Sequence, residues 1–138
     1  MVTKAELEAF FASEFPQADF IIDAVGNRSA TIRKRVNNDH LRPGGTVSGP
    51  VMMEMADTAL YCAILGEIGL VALAVTTNLN INFLRKPSPD RDMIAECRLI
   101  KLGKLLAIGE VSLYSEALAD PVAHAVGTYA IPPGARSR

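Results

Sequence analysis

The sequence is poor in the residues that mark metal centres, disulfide scaffolds and highly charged partners. It has two cysteines, Cys62 and Cys97, and two histidines, His40 and His124. The cysteines form no CxxC pair and neither histidine lies near one of them in the sequence, so no metal site is expected. They read instead as buried free thiols of a reducing compartment, the cytoplasm. A formal net charge of −1 over 138 residues leaves no electrostatic footprint for nucleic acid or an anionic membrane surface. An anionic ligand has to be met by a few local cations. Long apolar runs are also missing. The most apolar stretch, Leu60 to Val75, is broken by Gly66, Glu67 and Gly69 and falls short of a membrane span. The stretch from Met1 to Phe15 carries three acids and no continuous apolar core, so no signal peptide is expected.

What is present suits one globular domain spanning residues 1–138. Hydrophobic residues make up 49% and charged residues 21%, enough to bury a core without staples. Thr3 and Glu6 form a capping box for a helix over about 3–15, with Leu7, Phe10, Phe11 and Phe15 at helical spacing and Pro16 ending it. Residues 20–25 and 29–36 predict two strands around a Gly26-Asn27 turn. In the second, Ala30, Ile32, Lys34 and Val36 alternate with Thr31, Arg33 and Arg35. Residues 37–50 form a polar loop rich in glycine and proline, of a length that in compact domains often carries function. After it, Val51 to Leu65 is apolar or small at nearly every position, the mark of a buried helix. Pro50 suits its first turn, and Gly66 and Gly69 mark its end. Four further strands follow, over about 70–84, 93–102, 105–115 and 122–131, with a loose tail over about 133–138. Helices and strands do not alternate, which excludes a doubly wound parallel sheet. An α+β domain, an antiparallel sheet around one helix, is expected.

Asp57 lies in the middle of the apolar helix. A carboxylate buried there is costly to keep ionised unless something pairs with it. At 100° per residue Pro50, Met53, Glu54, Asp57 and Tyr61 share one face, so a plain solvated stripe is an alternative. The loop before the helix offers free backbone N–H groups at the positive end of the helix dipole, able to stabilise a developing oxyanion. Gly49 lets a ligand approach its N–H, whereas Pro50 has none. A tight turn into the helix is the alternative here.

The run from Thr46 to Ala59, with Gly49 and Met55-Ala56-Asp57-Thr58-Ala59, resembles the HGG-x4-LAD-x-A signature of PaaI-like thioesterases, in the 4-hydroxybenzoyl-CoA thioesterase superfamily of hotdog folds. Asn80 to Pro87 is similar to that family's INFLRP strand end. The resemblance implies a hotdog domain, a sheet wrapped around one central helix, that hydrolyses a small or medium acyl-CoA. Coenzyme A then arrives as part of the substrate, and no cofactor is needed. It implies Asp57 as nucleophile or general base and the Gly49 N–H as donor to the thioester oxygen. Ser48 stands where the family often has histidine, Pro50 where a second glycine is usual, and Arg42, with His40 nearby, where asparagine is common. Those departures leave open a non-catalytic acyl-CoA-binding domain; a hydroxyacyl dehydratase or hydratase is a further alternative, less favoured because Ser48 stands where its histidine would help.

Spacing adds a constraint. Gly49 and Asp57 are eight residues apart, about 12 Å along a helix. A donor and a carboxylate acting on one carbonyl should lie within roughly 6–7 Å. Two copies packed antiparallel satisfy this, so a homodimer with interface sites is expected, and a homotetramer is open. Asn78, Asn80 and Asn82 line one strand face, as sheet surface or dimer seam, with Thr77 or Asn80 at the acyl pocket as the alternative. Arg85, Lys86 and Lys104 are either solvated or hold the phosphates of coenzyme A. Tyr61 completes the candidate substrate-binding set.

Overall fold

The computed structural model describes residues 1–134. Most of the expected loose tail, and all of it beyond Gly134, lies outside the described residues. In chain order the elements are α1 (Lys4–Glu14), β1 (Ile21–Gly26), β2 (Ser29–Lys34), a 3-10 turn at Asn38–His40, β3 (Leu41–Arg42), β4 (Thr46–Val47), α2 (Gly49–Ile68), β5 (Val75–Phe83), β6 (Met93–Leu102), β7 (Leu106–Ser115) and β8 (Ala123–Ala130). Six strands form one antiparallel sheet in the order β1-β2-β6-β7-β8-β5. β3 and β4 make a separate hairpin within the expected loop. The sheet wraps α2, and the architecture is the hotdog fold.

Composition accounts for this arrangement. Strands β2, β6, β7 and β8 alternate buried and accessible positions, as expected for a sheet with one face on a core. α2 places Met55, Ala56, Leu60, Ile64 and Leu65 against that face. Thr3 caps α1 with the predicted box: its hydroxyl accepts from the Glu6 N–H while the Glu6 carboxylate accepts from the Thr3 N–H. Phe10, Phe11 and Phe15 pack from there onto Tyr61.

Two boundaries differ from expectation. Gly66 does not end α2, which continues to Ile68 and stops at Gly69, φ 103°. Gly66 is instead where the helix passes close to β1: an added Cβ would stand 2.7 Å from Val25 Cγ2. Residues 70–74 are not strand. They return the chain from α2 to β5, with Ala74 N–H bonded to Val71 O at 3.2 Å.

The depth of α2 in the sheet is set by two other glycines. Gly109 of β7 and Gly127 of β8 are direct cross-strand partners, and together they leave a hollow that Leu60 fills. A Cβ at Gly109 would meet Leu60 Cδ1 at 2.6 Å and the Arg98 carbonyl oxygen at 3.2 Å; one at Gly127 would meet Leu60 Cδ2 at 2.7 Å. Leu60 is fully buried, so it has little room to retreat. Gly109→Ala is therefore expected to destabilise the fold by about 1–3 kcal/mol. Adding Leu60→Ala should cost less in that background than in the wild type. Urea unfolding of the four variants measures both effects, and strictly additive losses would show that the two residues do not compete for one space.

Candidate active site

Asp57 lies in the third turn of α2, half-buried at the open end of the sheet. One of its oxygens is held twice. Thr76 Oγ1 of β5 donates to Oδ1 at 2.5 Å and the Tyr129 hydroxyl of β8 donates to the same atom at 2.9 Å. Oδ2 receives no hydrogen bond from a described residue. Tyr129 is itself fixed by stacking on Tyr61, with ring centroids 5.7 Å apart, and the Tyr61 hydroxyl donates to the Ala72 carbonyl at 3.1 Å. Burial, and then the adjacent Asp57 carboxylate, push the Tyr129 phenol far above the ordinary tyrosine range. Burial also pushes Tyr61 up to about 12. Tyr129 therefore stays a donor.

Thr76, not Thr77, reaches Asp57 because β5 carries a bulge. Thr76 pairs with Tyr129 and Asn78 with Thr128, which leaves Thr77 as the extra residue. Along β5, Leu79, Ile81 and Phe83 pair with the buried β8 positions Gly127, Ala125 and Ala123. Regular alternation would continue that face through Thr77, and the added residue passes it to Thr76. Thr77 instead bonds the Thr128 carbonyl at 3.3 Å.

Two clefts flank the helix. The first, about 470 Å³, contains Asp57, Thr76, Tyr129 and Tyr61, with aromatic walls from Phe11, Phe15 and Phe20 and polar lining from Lys34 and Glu54. The second, about 690 Å³, contains Gly49, Pro50 and Met52 at the start of α2, Phe83 to Pro87 after β5, and Arg42. Gly49 is the first residue of α2 and its N–H has no intrahelical acceptor. The Phe83 ring lies over it, 3.3 Å from where a Cβ would stand. Ser48 is the N-cap residue but its side chain makes no capping bond.

Of the expected residues, Asp57 and Tyr61 therefore share one cleft, while Gly49, Pro50, Arg42, Arg85 and Lys86 share the other. Arg85 also donates to the Pro121 carbonyl. His40 lines neither cleft: its Nδ1 accepts from the Asn37 N–H at 3.0 Å and shapes the loop. Thr77, Asn80 and Lys104 likewise line neither. Asn80 is exposed along the edge strand and Lys104 is exposed at the β6–β7 turn. Sequence reasoning passed over Thr76, Tyr129 and Lys34. The bulge hid the first. Tyr129 could have been noticed as the one large residue with a polar tip in the inward series Ala123, Ala125, Gly127, Tyr129.

Comparison with known proteins agrees with this fold. The thioesterase superfamily model matches residues 44–121, more than half of the chain, and the chain belongs to that superfamily. A protein of Silicibacter sp. TM1040 named as a candidate thioesterase is 45% identical over 96% of this chain and 94% of its own, with a TM-score of 0.88. The PaaI protein of the E. coli phenylacetic acid degradation operon shares the fold at 18% identity, over 93% of this chain and 91% of its own, TM-score 0.81. So does a hypothetical thioesterase of Streptococcus pneumoniae TIGR4 solved with coenzyme A, at 18% identity over 86% and 92%, TM-score 0.74. No curated protein sequence matched the chain. Among the described residues no helix is long and apolar enough to cross a membrane.

The state of Tyr129 is open to test. The folded protein keeps a phenolic proton that the unfolded chain gives up near pH ~10, so stability drains away as pH rises through that value. In an alkaline absorbance titration, Tyr129→Phe should show the same pre-unfolding tyrosinate signal as the wild type. A smaller signal would mean that Tyr129 ionises in the native fold.

Proposed function

We propose that the protein is an acyl-CoA thioesterase whose active site forms between two copies of the chain, Asp57 from one facing Gly49 from the other. The observation that carries this is the separation of the two groups into different clefts of one protomer, with Asp57 at the Thr76 end of β5 and Gly49 at the Phe83 end. β5 is an edge strand paired only with β8. Val75, Phe83 and Leu84 are each about half exposed along or beside it. An open apolar edge invites pairing. Antiparallel pairing of β5 with its own copy about a two-fold axis near Leu79–Asn80 sets Thr76 opposite the partner's Phe83. Each Asp57 then faces the start of the partner's α2, and one substrate touches both clefts. The same geometry makes Asn78, Asn80 and Asn82 a seam between copies.

In this reading the thioester oxygen accepts from the Gly49 N–H at the positive end of α2. Thr76 and Tyr129 hold Asp57 Oδ1, and Oδ2 either takes a proton from water as that water attacks the carbonyl carbon or attacks it directly. In the water route the proton taken by Asp57 passes to the leaving sulfur as the carbon–sulfur bond breaks, so coenzyme A departs as its thiol and the acid remains. In direct attack coenzyme A leaves as its thiolate, to be protonated by solvent, and the acyl group stays on Asp57 as a mixed anhydride. In the direct route water then cleaves the anhydride and restores Asp57. The Ser48 hydroxyl, unused in capping, is available to water or substrate beside Gly49. Arg42, Arg85 and Lys86 form the cationic side of the second cleft, suited to the phosphates of coenzyme A. No cofactor is required, and two buried free thiols suit a cytoplasmic setting.

Steady-state hydrolysis of an acyl-CoA panel tests the reading. Asp57→Asn should lower kcat by about 10²–10⁴-fold. Thr76→Val and Tyr129→Phe should each lower it on the order of tenfold. Unchanged turnover in Asp57→Asn removes Asp57 from the mechanism. Tight acyl-CoA binding by the wild type without turnover would favour a binding protein instead.

A further inference from the structure

We infer that Lys34 reads the acyl group: its ammonium donates a hydrogen bond to a neutral oxygen, keto or hydroxyl, that the acyl chain carries a few bonds beyond the thioester. The inference rests on the thioesterase reading for the position of the carbonyl at Asp57.

Lys34 ends β2 on its inward face, in line with Ala30 and Ile32, and only 5% of it is exposed. Lysine is almost never buried to this degree without full pairing. Its pairing here is incomplete. Nζ donates to the Asp19 carbonyl at 2.7 Å, and the Glu54 carboxylate stands 3.6 Å away on a side chain that is 71% exposed. An ammonium has three N–H bonds, and no described residue takes the third. Among the described residues the other one classed as buried and polar, Ser115, has a plain structural use, accepting from the Ser88 N–H at 2.9 Å. Lys34 lines the same cleft as Asp57 together with Phe11, Phe15 and Phe20, and of the acids that line it only Glu54 stands within ion-pair distance of Nζ.

Position and sign narrow the ligand. Glu54 precedes Asp57 by one helical turn, so their Cβ atoms lie about 5–6 Å apart. With the carbonyl at Asp57 and Nζ beside Glu54, the oxygen that Lys34 meets falls roughly four to six bonds along the chain. Asp19, Glu54 and Asp57 all line the cleft, so a carboxylate would gain Lys34 and oppose three like charges. A neutral acceptor avoids that opposition.

The test compares hexanoyl-CoA, 5-oxohexanoyl-CoA and adipoyl-CoA as substrates, and their non-hydrolysable thioether analogues as ligands by calorimetry, in the wild type, Lys34→Met and Lys34→Arg. The wild type should prefer 5-oxohexanoyl over hexanoyl by about 10- to 100-fold in kcat/KM and in affinity. Lys34→Met should bring that ratio close to one, and Lys34→Arg, which keeps a donor, should retain much of it. A purely structural lysine would change all three substrates together and leave the ratio where it was. No preference in the wild type, a preference that survives Lys34→Met, or adipoyl-CoA as the best substrate each overturns the assignment. Because the thioether ratio does not depend on turnover, failure of hydrolysis alone would count against the thioesterase reading and not against Lys34.

Discussion

The seat of Leu60 over Gly109 and Gly127 fixes how deeply α2 sits in the sheet, and the candidate site depends on that depth. Leu60 lies one turn beyond Asp57. If the helix rode higher, Asp57 would lose reach to Thr76 and Tyr129, whose hydroxyls meet it at 2.5 and 2.9 Å. Two cross-strand glycines thus do for packing what no side chain could. They let a bulky residue close the gap between helix and sheet, and the carboxylate follows. The rest of the inward faces of β7 and β8 is made mostly of alanine, valine and leucine, which keeps this region shallow while Tyr129 rises at one end.

Around that fixed helix the chemistry is divided. One end of α2 offers an N–H at the positive pole of the helix, beside cations and under the Phe83 ring. Eight residues later the helix presents a carboxylate with one oxygen held and one left open. A single protomer keeps these in separate clefts, and its longest unpaired edge, β5, runs between them. In the proposed dimer a second copy added along that edge would join the two ends. The polarity of the clefts suits such a division: cations gather where coenzyme A would lie, and aromatic walls where an acyl group would.

Much of this was legible in the sequence, and the limits have physical causes. The order of elements followed from period-two and all-apolar patterns, and Asp57 stood out because an acid in such a helix needs a reason. Gly49 was read as a candidate donor from the glycine-rich entry to the helix and from the family resemblance. The role of Gly66 was not, because glycine as a helix end and glycine as a point of close approach to β1 look alike without the partner strand. Thr77 was weighed for the acyl pocket and Thr76 passed over because a one-residue bulge reverses the face of a strand and leaves no trace in local composition. His40 was expected at a ligand and is used by its own loop. The division into two clefts was anticipated by distance alone, since a helix cannot bend eight residues into one contact.

The central claim is that Asp57 and Gly49 of different copies act on one substrate. Mixing two inactive variants tests it most directly. Asp57→Asn and Gly49→Val each disable both sites of their own dimer. Co-refolded in equal amounts, half of the pairs would be mixed, and each mixed pair would hold one site with Asp57 and Gly49 both intact. The account predicts recovery of about one quarter of wild-type acyl-CoA hydrolysis. A mixture as inactive as its two components, with mixed dimers shown to be present, would contradict it.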